Sequence, residues 1–154
     1  MENKESPRAE DFMRQALAMA REAAARGEVP VGAVVVRENM VIGKGFNQTE
    51  TTGDPTAHAE IMAIRQAAAT LGDWRLSGCT LFSTLEPCPM CFGAAGQARV
   101  QAVVFGAFEP PSGAQNRHAD EEGPPCYGGL LEEEASALLR EAFKKRRIAL
   151  QTSQ

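Results

Sequence analysis

The sequence lacks a long apolar run. No stretch approaches the roughly 18 consecutive apolar residues that a membrane-spanning helix needs. The first five residues, Met1 to Glu5, are polar and do not form the apolar core of a signal peptide. We therefore expect a cytoplasmic protein without a membrane partner.

Cysteine and histidine are also scarce, and positive charges do not outnumber negative ones. There are four cysteines and two histidines, and the net charge is −4. In a cytoplasmic chain a few cysteines favour metal binding or thiol chemistry over a disulfide framework. The net charge argues against a broad, unspecific nucleic-acid binder. It is compatible with a local basic patch, and the run Lys144-Lys145-Arg146-Arg147 supplies one.

What is present is the composition of an ordinary globular protein. The chain has 154 residues, of which 44% are hydrophobic and 23% are charged. This size and composition suit one domain with one substantial core. We expect a single domain over residues 1–154, with residues 1–6 and 148–154 as loose tails.

Helical and extended segments alternate along the chain. The patterns predict strands at about 31–36, 40–46, 80–85 and 101–106, and helices at about 7–25, 58–69, 89–98 and 131–147. The helix between the last two strands predicts a parallel pair, whereas the turn at Glu38-Asn39 predicts a hairpin. The fold class is therefore α/β, with a mixed central sheet between helices on both faces.

Finer features follow from glycines and apolar spacing. Gly43 and Gly45 interrupt the second strand and predict a bulge or a close backbone approach. Residues 49–54 are expected to form a polar loop, and 109–129 an irregular stretch. The expected core positions of the second and last helices are Ile61, Ile64, Ala67, Ala68, Leu131, Ala135, Leu138, Leu139, Ala142 and Phe143.

Two short motifs predict a catalytic zinc site. Cys88 and Cys91 are three residues apart at a helix start, so both sulfurs lie on one face near the positive end of the helix dipole, which favours thiolates. His58 also stands at a helix start and supplies a third ligand. Three protein ligands leave one position of the tetrahedron open for water, as in catalytic rather than structural zinc sites.

Glu60 is the candidate catalytic residue. It follows His58 by two positions, so the helix turns it away from direct ligation while keeping it near the metal. Zinc lowers the pKa of water from about 15.7 to about 7. A carboxylate beside it can carry the proton to the substrate, an effect worth roughly 10² to 10⁴ in rate.

Two other kinds of cysteine site fit the residues less well. A redox pair requires a thioredoxin-like setting that the His-x-Glu motif does not call for. A structural zinc site needs a fourth ligand, for which Cys79, Cys126 and His118 are the candidates. Cys79 opens a strand as a buried thiol, and neither Cys126 nor His118 has ligand spacing to a partner.

The motifs, taken with their flanks, resemble those of bacterial tRNA-specific adenosine deaminases, within the cytidine and deoxycytidylate deaminase superfamily. The His-x-Glu and Pro-Cys-x-x-Cys signature is that of zinc deaminases in general. The segments that carry the resemblance are Gly27–Val36, Gly43–Asn47, Asp54–Ile64, Trp74–Leu76, Leu85–Cys91, Val103–Ala107 and Gly128–Arg147.

The resemblance implies a three-layer, cytidine-deaminase-like fold and hydrolysis of adenosine to inosine at the wobble position of a tRNA anticodon. It implies that His58, Cys88 and Cys91 hold one zinc ion per chain and that Glu60 shuttles protons. Asn47 matches a position that contacts the target nucleoside, although a turn residue that ends a strand explains it equally well. The resemblance also implies a homodimer, and the small residues of 93–98 suit either close approach between subunits or packing on the chain's own sheet.

The chain departs from this family between Phe108 and Gly129, where it is short and rich in proline and glycine, so a fifth strand can only be short. Two other functions remain open: deamination of a free base or nucleoside such as cytosine, guanine or cytidine, and a non-enzymatic zinc module. Glu60 argues against the second. The basic run at 144–147 favours RNA as the partner, although cations near a helix C-terminus also match the helix dipole.

Overall fold

Helices and strands alternate through residues 8–109 and 121–152, the parts of the chain that the computed structural model describes. The elements are α1 Ala9–Ala25, β1 Gly32–Arg37, β2 Met40–Phe46, α2 Thr49–Thr52, α3 Ala59–Leu71, β3 Cys79–Leu85, α4 Pro89–Gln97, β4 Ala102–Ala107, β5 Cys126–Tyr127 and α5 Glu132–Thr152. Within these ranges no helix has the length and apolar character needed to cross a membrane. His118 lies outside the described residues, as do the predicted tail at 1–6 and the end of the chain at 153–154.

The five strands form one mixed sheet in the order β2-β1-β3-β4-β5. Strand β1 is antiparallel to both β2 and β3, whereas β3, β4 and β5 run parallel. The predicted hairpin and parallel pair are therefore confirmed. Because β3 and β4 are parallel, their carboxyl ends lie at the same edge of the sheet, and the segments after the two strands meet at that edge.

The hairpin between β1 and β2 contains the irregularity that its glycines predict. Glu38 and Asn39 both have positive φ, 50° and 62°, as in the tight turns that match strand twist. Val35 pairs with Gly43 while Val36 pairs with Val41, so the register shifts between them. A bulge of this kind bends a strand, and β2 ends at Phe46, directly before Asn47.

Helix α3 lies directly on strand β2 at the two glycines. A Cβ atom on Gly43 would collide with the carbonyl oxygen of Ala63, and one on Gly45 would collide with that of Ala59. Such close approach leaves room only for small side chains. Ala59, Ala63 and Ala67 are accordingly buried.

The predicted buried face of α3 is partly wrong. Ala67 is buried, and Ile64 and Ala68 are half-buried and pack against the core, whereas Ile61 is half-buried outside it. The larger isoleucine side chains cannot enter the close contact between α3 and β2, and they lie at its margin instead. Alanine therefore carries the core on this helix.

Two apolar layers cover the two faces of the sheet, which confirms helices on both sides. On one face α1 and α5 contribute Phe12, Met13, Leu17 and Ala135. On the other, residues of α3 and α4 pack with Leu81 and Phe105 of the sheet. Helix α4 buries Ala95 and leaves Gly93 exposed, so its small residues face both the core and the surface.

Helix α5 differs from its prediction in two ways. Phe143 is 47% exposed and lies outside the core, whereas Ala135 is buried as expected. The helix continues to Thr152 instead of ending near Arg147, so residues 148–152 are helical and not a loose tail. No glycine or proline follows Arg147 to stop the helix. The basic run at 144–147 is exposed and stands several residues before the helix end.

The two stretches predicted to be irregular each contain a short element. Residues 49–54 include the single helical turn α2, which ends at Gly53 with φ of 66°. Strand β5 has two residues, in agreement with a fifth strand that can only be short. Both elements lie close in sequence to residues that build the site.

Candidate metal centre and active site

The candidate ligands stand at the first residues of two neighbouring helices. His58 is the N-cap of α3, with φ −75° and ψ 153°, and Cys88 is the N-cap of α4, with φ −69° and ψ 168°. Both have extended backbone before the helix begins, so each side chain is held at a rigid helix end. Pro89 at the first position of α4 fixes the backbone angle there.

A side-chain turn sets the approach to His58. The Asp54 carboxylate accepts hydrogen bonds from the Thr56 backbone N–H at 2.8 Å and from the Thr56 hydroxyl at 2.7 Å. The His58 N–H then donates to the Thr56 carbonyl at 2.7 Å. The segment from Asp54 to His58 is thus a hydrogen-bonded turn that directs the imidazole toward the cysteines.

The three side chains meet with the spacing that zinc requires. Nδ1 of His58 lies 3.5 Å from Sγ of Cys88 and 3.5 Å from Sγ of Cys91. Zinc–sulfur bonds of about 2.3 Å and a zinc–nitrogen bond of about 2.0 Å, at tetrahedral angles, put the two ligand atoms about 3.5 Å apart. The donor set therefore fits zinc, with Nδ1 as the histidine ligand atom.

The other cysteines in the described residues do not belong to this group. The ligand atoms of His58, Cys88 and Cys91 all lie within 4.8 Å of one another, and within residues 8–109 and 121–147 this is the one such cluster. Cys79 is fully buried at the start of β3, as predicted, and Cys126 is buried in β5. Neither of these two thiols supplies a fourth ligand.

The two thiols share a proton when no metal is bound. The hydrogen bond from the Cys91 thiol lowers the pKa of Cys88 to about 4, and nearby His58 acts in the same direction. That hydrogen bond and burial raise the pKa of Cys91. Cys88 is thus a thiolate at neutral pH, the form that binds a metal.

Glu60 lies beside the cluster and is not part of it. The side chain is only 4% exposed, in the first turn of α3. Burial raises the pKa of its carboxyl to about 7, and the neighbouring Cys88 thiolate adds to the shift. A buried carboxyl next to the donor group, but outside it, is placed to exchange protons.

A cavity of about 260 Å³ opens above the cluster and brings four of the predicted site residues together. Its wall contains Asn47, His58, Glu60 and Cys88, together with Val29, Val31, Leu85, Glu86 and Glu109. Asn47 is 8% exposed, so the end of β2 is buried against the site and is not an ordinary surface turn. Cys91 lies beneath, fully buried.

Sequence reasoning missed five of the wall residues. Val29 and Val31 flank the buried Pro30, and Glu86 precedes the Pro-Cys motif. The Glu109 N–H donates to the Glu86 carboxylate at 3.1 Å, which connects the end of β3 to the segment after β4. The motif around Pro30 and the carboxyl ends of β3 and β4 were the available signals.

A second cavity adjoins the first on the side of α5. It has a volume of about 390 Å³ and shares Val29, Leu85 and Glu109 with the first. Phe143 and Arg140 of α5 line its far side. The site therefore continues from the donor cluster toward the helix that carries the basic run.

Comparison with known proteins agrees with this geometry. Residues 6–107 match the family model of the cytidine and deoxycytidylate deaminase zinc-binding region. The chain is 42% identical over 150 residues to a tRNA-specific adenosine deaminase of Bacillus subtilis, covering 90% of the chain and 92% of that protein. It is also 50% identical over 138 residues to a tRNA(Ile)-lysidine synthase of Deinococcus radiodurans, covering 85% of the chain but only 24% of that protein.

Solved structures show the same fold. A tRNA:A34 deaminase structure matches with a TM-score of 0.77 and 41% identity, covering 83% of the chain and 98% of that structure. A guanine deaminase of Nitrosomonas europaea matches with a TM-score of 0.78 and 30% identity, covering 88% of the chain and 84% of that structure. The fold is thus shared by deaminases of different substrates.

Proposed function

Since the chain belongs to the family of zinc-binding cytidine and deoxycytidylate deaminases, we propose that it converts adenosine to inosine by hydrolysis at the wobble position of a tRNA anticodon. The observation that carries the proposal is the tetrahedral spacing of His58, Cys88 and Cys91 beside the buried carboxyl of Glu60. The likeness to tRNA-specific adenosine deaminases supports the choice of substrate.

His58, Cys88 and Cys91 would hold one zinc ion per chain. When bound, the ion supplies Lewis-acid chemistry that makes water a nucleophile at neutral pH. The protein's part is to present three donors at rigid helix ends and to leave the cavity side open for water and substrate. The other side chains of the cavity then decide what enters.

Glu60 carries the protons of the reaction. It takes a proton from the attacking water and gives it to the ring nitrogen next to the attacked carbon. It then transfers the second proton of the water to the amine. The carbon–nitrogen bond breaks, ammonia leaves and a carbonyl forms, so that adenosine and water give inosine and ammonia. Its burial keeps bulk water from competing for these protons.

Asn47 would orient the nucleoside. Its amide offers both hydrogen-bond donors and an acceptor, and it lines the same cavity as His58 and Cys88. A cavity of about 260 Å³ admits a single base, so the target nucleotide must leave the stack before it reacts. An anticodon loop is single-stranded, so its bases can be splayed out more easily than those of a duplex.

The basic run at 144–147 supports RNA as the partner. All four of its side chains are exposed. Because α5 continues to Thr152, these cations are not at the helix C-terminus, and the alternative that they only match the helix dipole loses its support. Phosphate contacts by such residues supply most of the affinity for nucleic acid. An anticodon stem-loop that approaches from α5 would reach the site along the second cavity. We infer a cytoplasmic location from this substrate.

The exposed side of α4 supports a homodimer. Gly93 is exposed, and a Cβ atom built on it would meet nothing within 4 Å, so another helix can approach closely there. Sedimentation of the purified protein tests this: a dimer that Gly93→Glu dissociates is expected, and a monomeric wild-type protein would overturn it.

One experiment separates the tRNA substrate from a free base. The zinc-loaded protein is incubated with an anticodon stem-loop that carries adenosine at the wobble position, and in parallel with guanine, cytosine and cytidine. We expect inosine in the RNA and no ammonia from the small molecules. Ammonia from guanine with an unchanged RNA would assign the chain to free-base deamination instead.

A further inference from the structure

Glu28 is a buried charged side chain that the proposed chemistry does not use. It is 3% exposed. A buried carboxylate is stable only where hydrogen bonds or opposite charges compensate for the lost water. The hydrogen-bond partners of the Glu28 carboxylate therefore show which part of the chain it stabilises.

The Glu28 carboxylate accepts three hydrogen bonds from helix α2. It accepts from the backbone N–H of Glu50 at 3.1 Å, from that of Thr51 at 2.6 Å, and from the Thr51 hydroxyl at 2.5 Å. These N–H groups belong to the first turn of a helix, where they have no partner within the helix. Glu28 thus caps α2 from a distance of more than 20 residues in sequence.

Helix α2 needs such an anchor, because it buries nothing of its own. None of its four residues is buried. It lies in the segment from Gln48 to Ala57, which we call the 48–57 loop. The two ends of the loop are joined by a hydrogen bond in which the Gln48 N–H donates to the Ala57 carbonyl at 2.9 Å.

The two ends of the 48–57 loop are site residues. Asn47 precedes it and His58 follows it, and both line the cavity. The Asn47 N–H donates to the Val31 carbonyl at 3.2 Å, which connects the start of the loop to another part of the cavity wall. A shift of the loop would therefore displace Asn47 against the donor cluster.

Glu28 itself is held by rigid structure. Its N–H donates to the Ala23 carbonyl at 2.9 Å, at the end of α1, after Gly27 turns the chain with φ of 75°. Val29, the next residue, lines the cavity. Arg146 of the basic run is near enough to favour the charged carboxylate.

The Glu28 carboxylate is charged at neutral pH despite its burial. Burial alone raises its pKa, but the hydrogen bonds from Thr51 and from the Glu50 N–H, with the charge of Arg146, lower the pKa below its ordinary value. The cap is therefore a charge-assisted one, which is stronger than a neutral hydrogen bond.

We propose that Glu28 is a positioning residue for the deamination reaction: it anchors the 48–57 loop to the end of α1 and so fixes Asn47 in the cavity that His58 also lines. The inference rests on the proposed function for its substrate. It goes beyond that function by giving Glu28, which is absent from the wall of the cavity above the donor cluster, a part in substrate orientation.

Steady-state kinetics of Glu28→Gln on the anticodon stem-loop test the proposal. Gln has the same length but no charge. We expect kcat/KM to fall by roughly 10-fold to 100-fold, mostly through KM, because displacement of an orienting group by about 1 Å has effects of that size. Zinc content should stay at one per chain. The matched control is Glu22→Gln. Glu22 is an exposed carboxylate near the end of α1, where it pairs with Arg26 at 2.9 Å. This change should leave kcat/KM unchanged.

A double mutant shows whether Glu28 acts through Asn47. In an Asn47→Ala background, Glu28→Gln should change kcat/KM by less than about twofold, because residues that act as one unit are not additive. Independent, multiplicative losses would overturn the proposal, as would a Glu28→Gln protein that lost only stability and kept its KM.

Amide hydrogen exchange adds a readout that needs no substrate. In Glu28→Gln, exchange at Glu50 and Thr51 should be faster than in the wild-type protein, while exchange in β3 stays unchanged. Unchanged exchange at Glu50 and Thr51 would overturn the anchoring. If the wild-type protein deaminates a free base in place of RNA, the proposed function fails, and the same KM comparison is made with that base.

Discussion

At the scale of single residues, the position of Glu60 suits the proposed proton transfer better than metal binding. Its carboxyl is buried beside the two thiols but lies outside the donor group. We expect Glu60→Ala to keep a full complement of zinc and to lose deamination by a factor of at least roughly 10² to 10⁴. Zinc analysis and inosine formation, measured on the same preparation, check both parts.

The control for this change is Glu50→Ala. Glu50 is an exposed carboxylate at the first turn of the neighbouring short helix and contributes to Glu28 only its backbone N–H. The Glu50→Ala protein should retain zinc and most of the wild-type activity. A folded Glu60→Ala protein without zinc would show that Glu60 is a ligand.

The cysteines divide into donors and core thiols. Cys88→Ala removes one of three zinc ligands, so we expect zinc affinity to fall steeply and activity to disappear. Cys126→Ala removes a buried thiol outside the cluster and should retain stoichiometric zinc. Full zinc occupancy with normal turnover in Cys88→Ala would remove Cys88 from the ligand set.

Acid should weaken the anchor of the 48–57 loop. The folded-state pKa of Glu28 is lowered, so its charged form stabilises the protein above the unfolded pKa, and this contribution is lost as the pH falls through the folded value. We expect wild-type stability in urea to fall over this acidic range more than that of Glu28→Gln. Parallel stability curves for the two proteins would contradict the prediction.

The donor residues could be predicted from sequence because their positions are locally determined. His58, Cys88 and Cys91 stand at helix starts, and helix starts have sequence signals such as Pro89. Asn47 could not be assigned in this way. Its burial depends on the 48–57 loop, whose anchor at Glu28 is distant in sequence.

At the scale of elements, the close contact of β2 and α3 determines where His58 sits. A methyl group on Gly45 would collide with the carbonyl of Ala59, the residue after His58. We expect Gly45→Ala to destabilise the fold by roughly 1–3 kcal/mol, as overpacking does, and to weaken zinc binding because the start of α3 must move. Thermal unfolding and zinc titration measure the two effects.

Gly93→Ala is the matched comparison. Gly93 lies in the interior of α4, and a Cβ atom there meets nothing within 4 Å. At protein concentrations low enough to keep the chain monomeric, the change should stabilise it by about 0.5–1 kcal/mol through helix propensity. A Gly45→Ala protein as stable as Gly93→Ala would mean that β2 and α3 can separate without cost.

The same packing of β2 against α3 explains why the core positions of a helix could not all be predicted from its own sequence pattern. Periodicity places Ile61 and Ile64 on an apolar face, but the glycines of β2 bring the backbones so close that alanines fill the interface. Phe143 has core spacing on α5, yet it is exposed because it borders the second cavity rather than the sheet. Strand order, strand direction and helix layers follow from local patterns, whereas these distances follow from pairs of elements.

At the scale of the whole molecule, the distribution of charge favours approach of RNA from the side of α5. The chain is acidic overall, but the run at 144–147 is exposed, and its Lys145 and Arg146 line a third cavity together with Val29, which also lines the cavity above the donor cluster. We expect replacement of Lys144 and Lys145 by Gln to weaken binding of the anticodon stem-loop. The dependence of log K on log salt should become shallower by about 1 for each phosphate that is no longer neutralised. Binding titrations at several salt concentrations measure the slope.

Arg37→Gln is the control for charge alone. Arg37 is exposed at the end of β1, at the sheet edge opposite the donor cluster. It should leave the salt slope unchanged. An equal effect of Arg37→Gln would mean that net charge, and not the run on α5, governs binding.

The complete cavity is a property of the whole molecule, and for that reason the sequence predicted only part of it. Its wall combines residues before β1, at the end of β2, at the start of α3 and after β3 and β4. Residues such as Leu85 and Glu109 have no motif of their own. Only the assembled sheet, with its parallel β3 and β4, brings them to one edge.

The separate supports of the donors and of the cavity wall have an evolutionary consequence. The donors are held by two helix starts, while much of the wall belongs to strand ends and to a loop with its own anchor. Mutations of wall residues that hold no donor, such as Val29 and Leu85, can therefore change which base is accepted without loosening the metal, and selection can act on specificity while the chemistry is preserved. In this way one ancestral zinc site can give rise to lineages that act on an RNA and to lineages that act on a free purine.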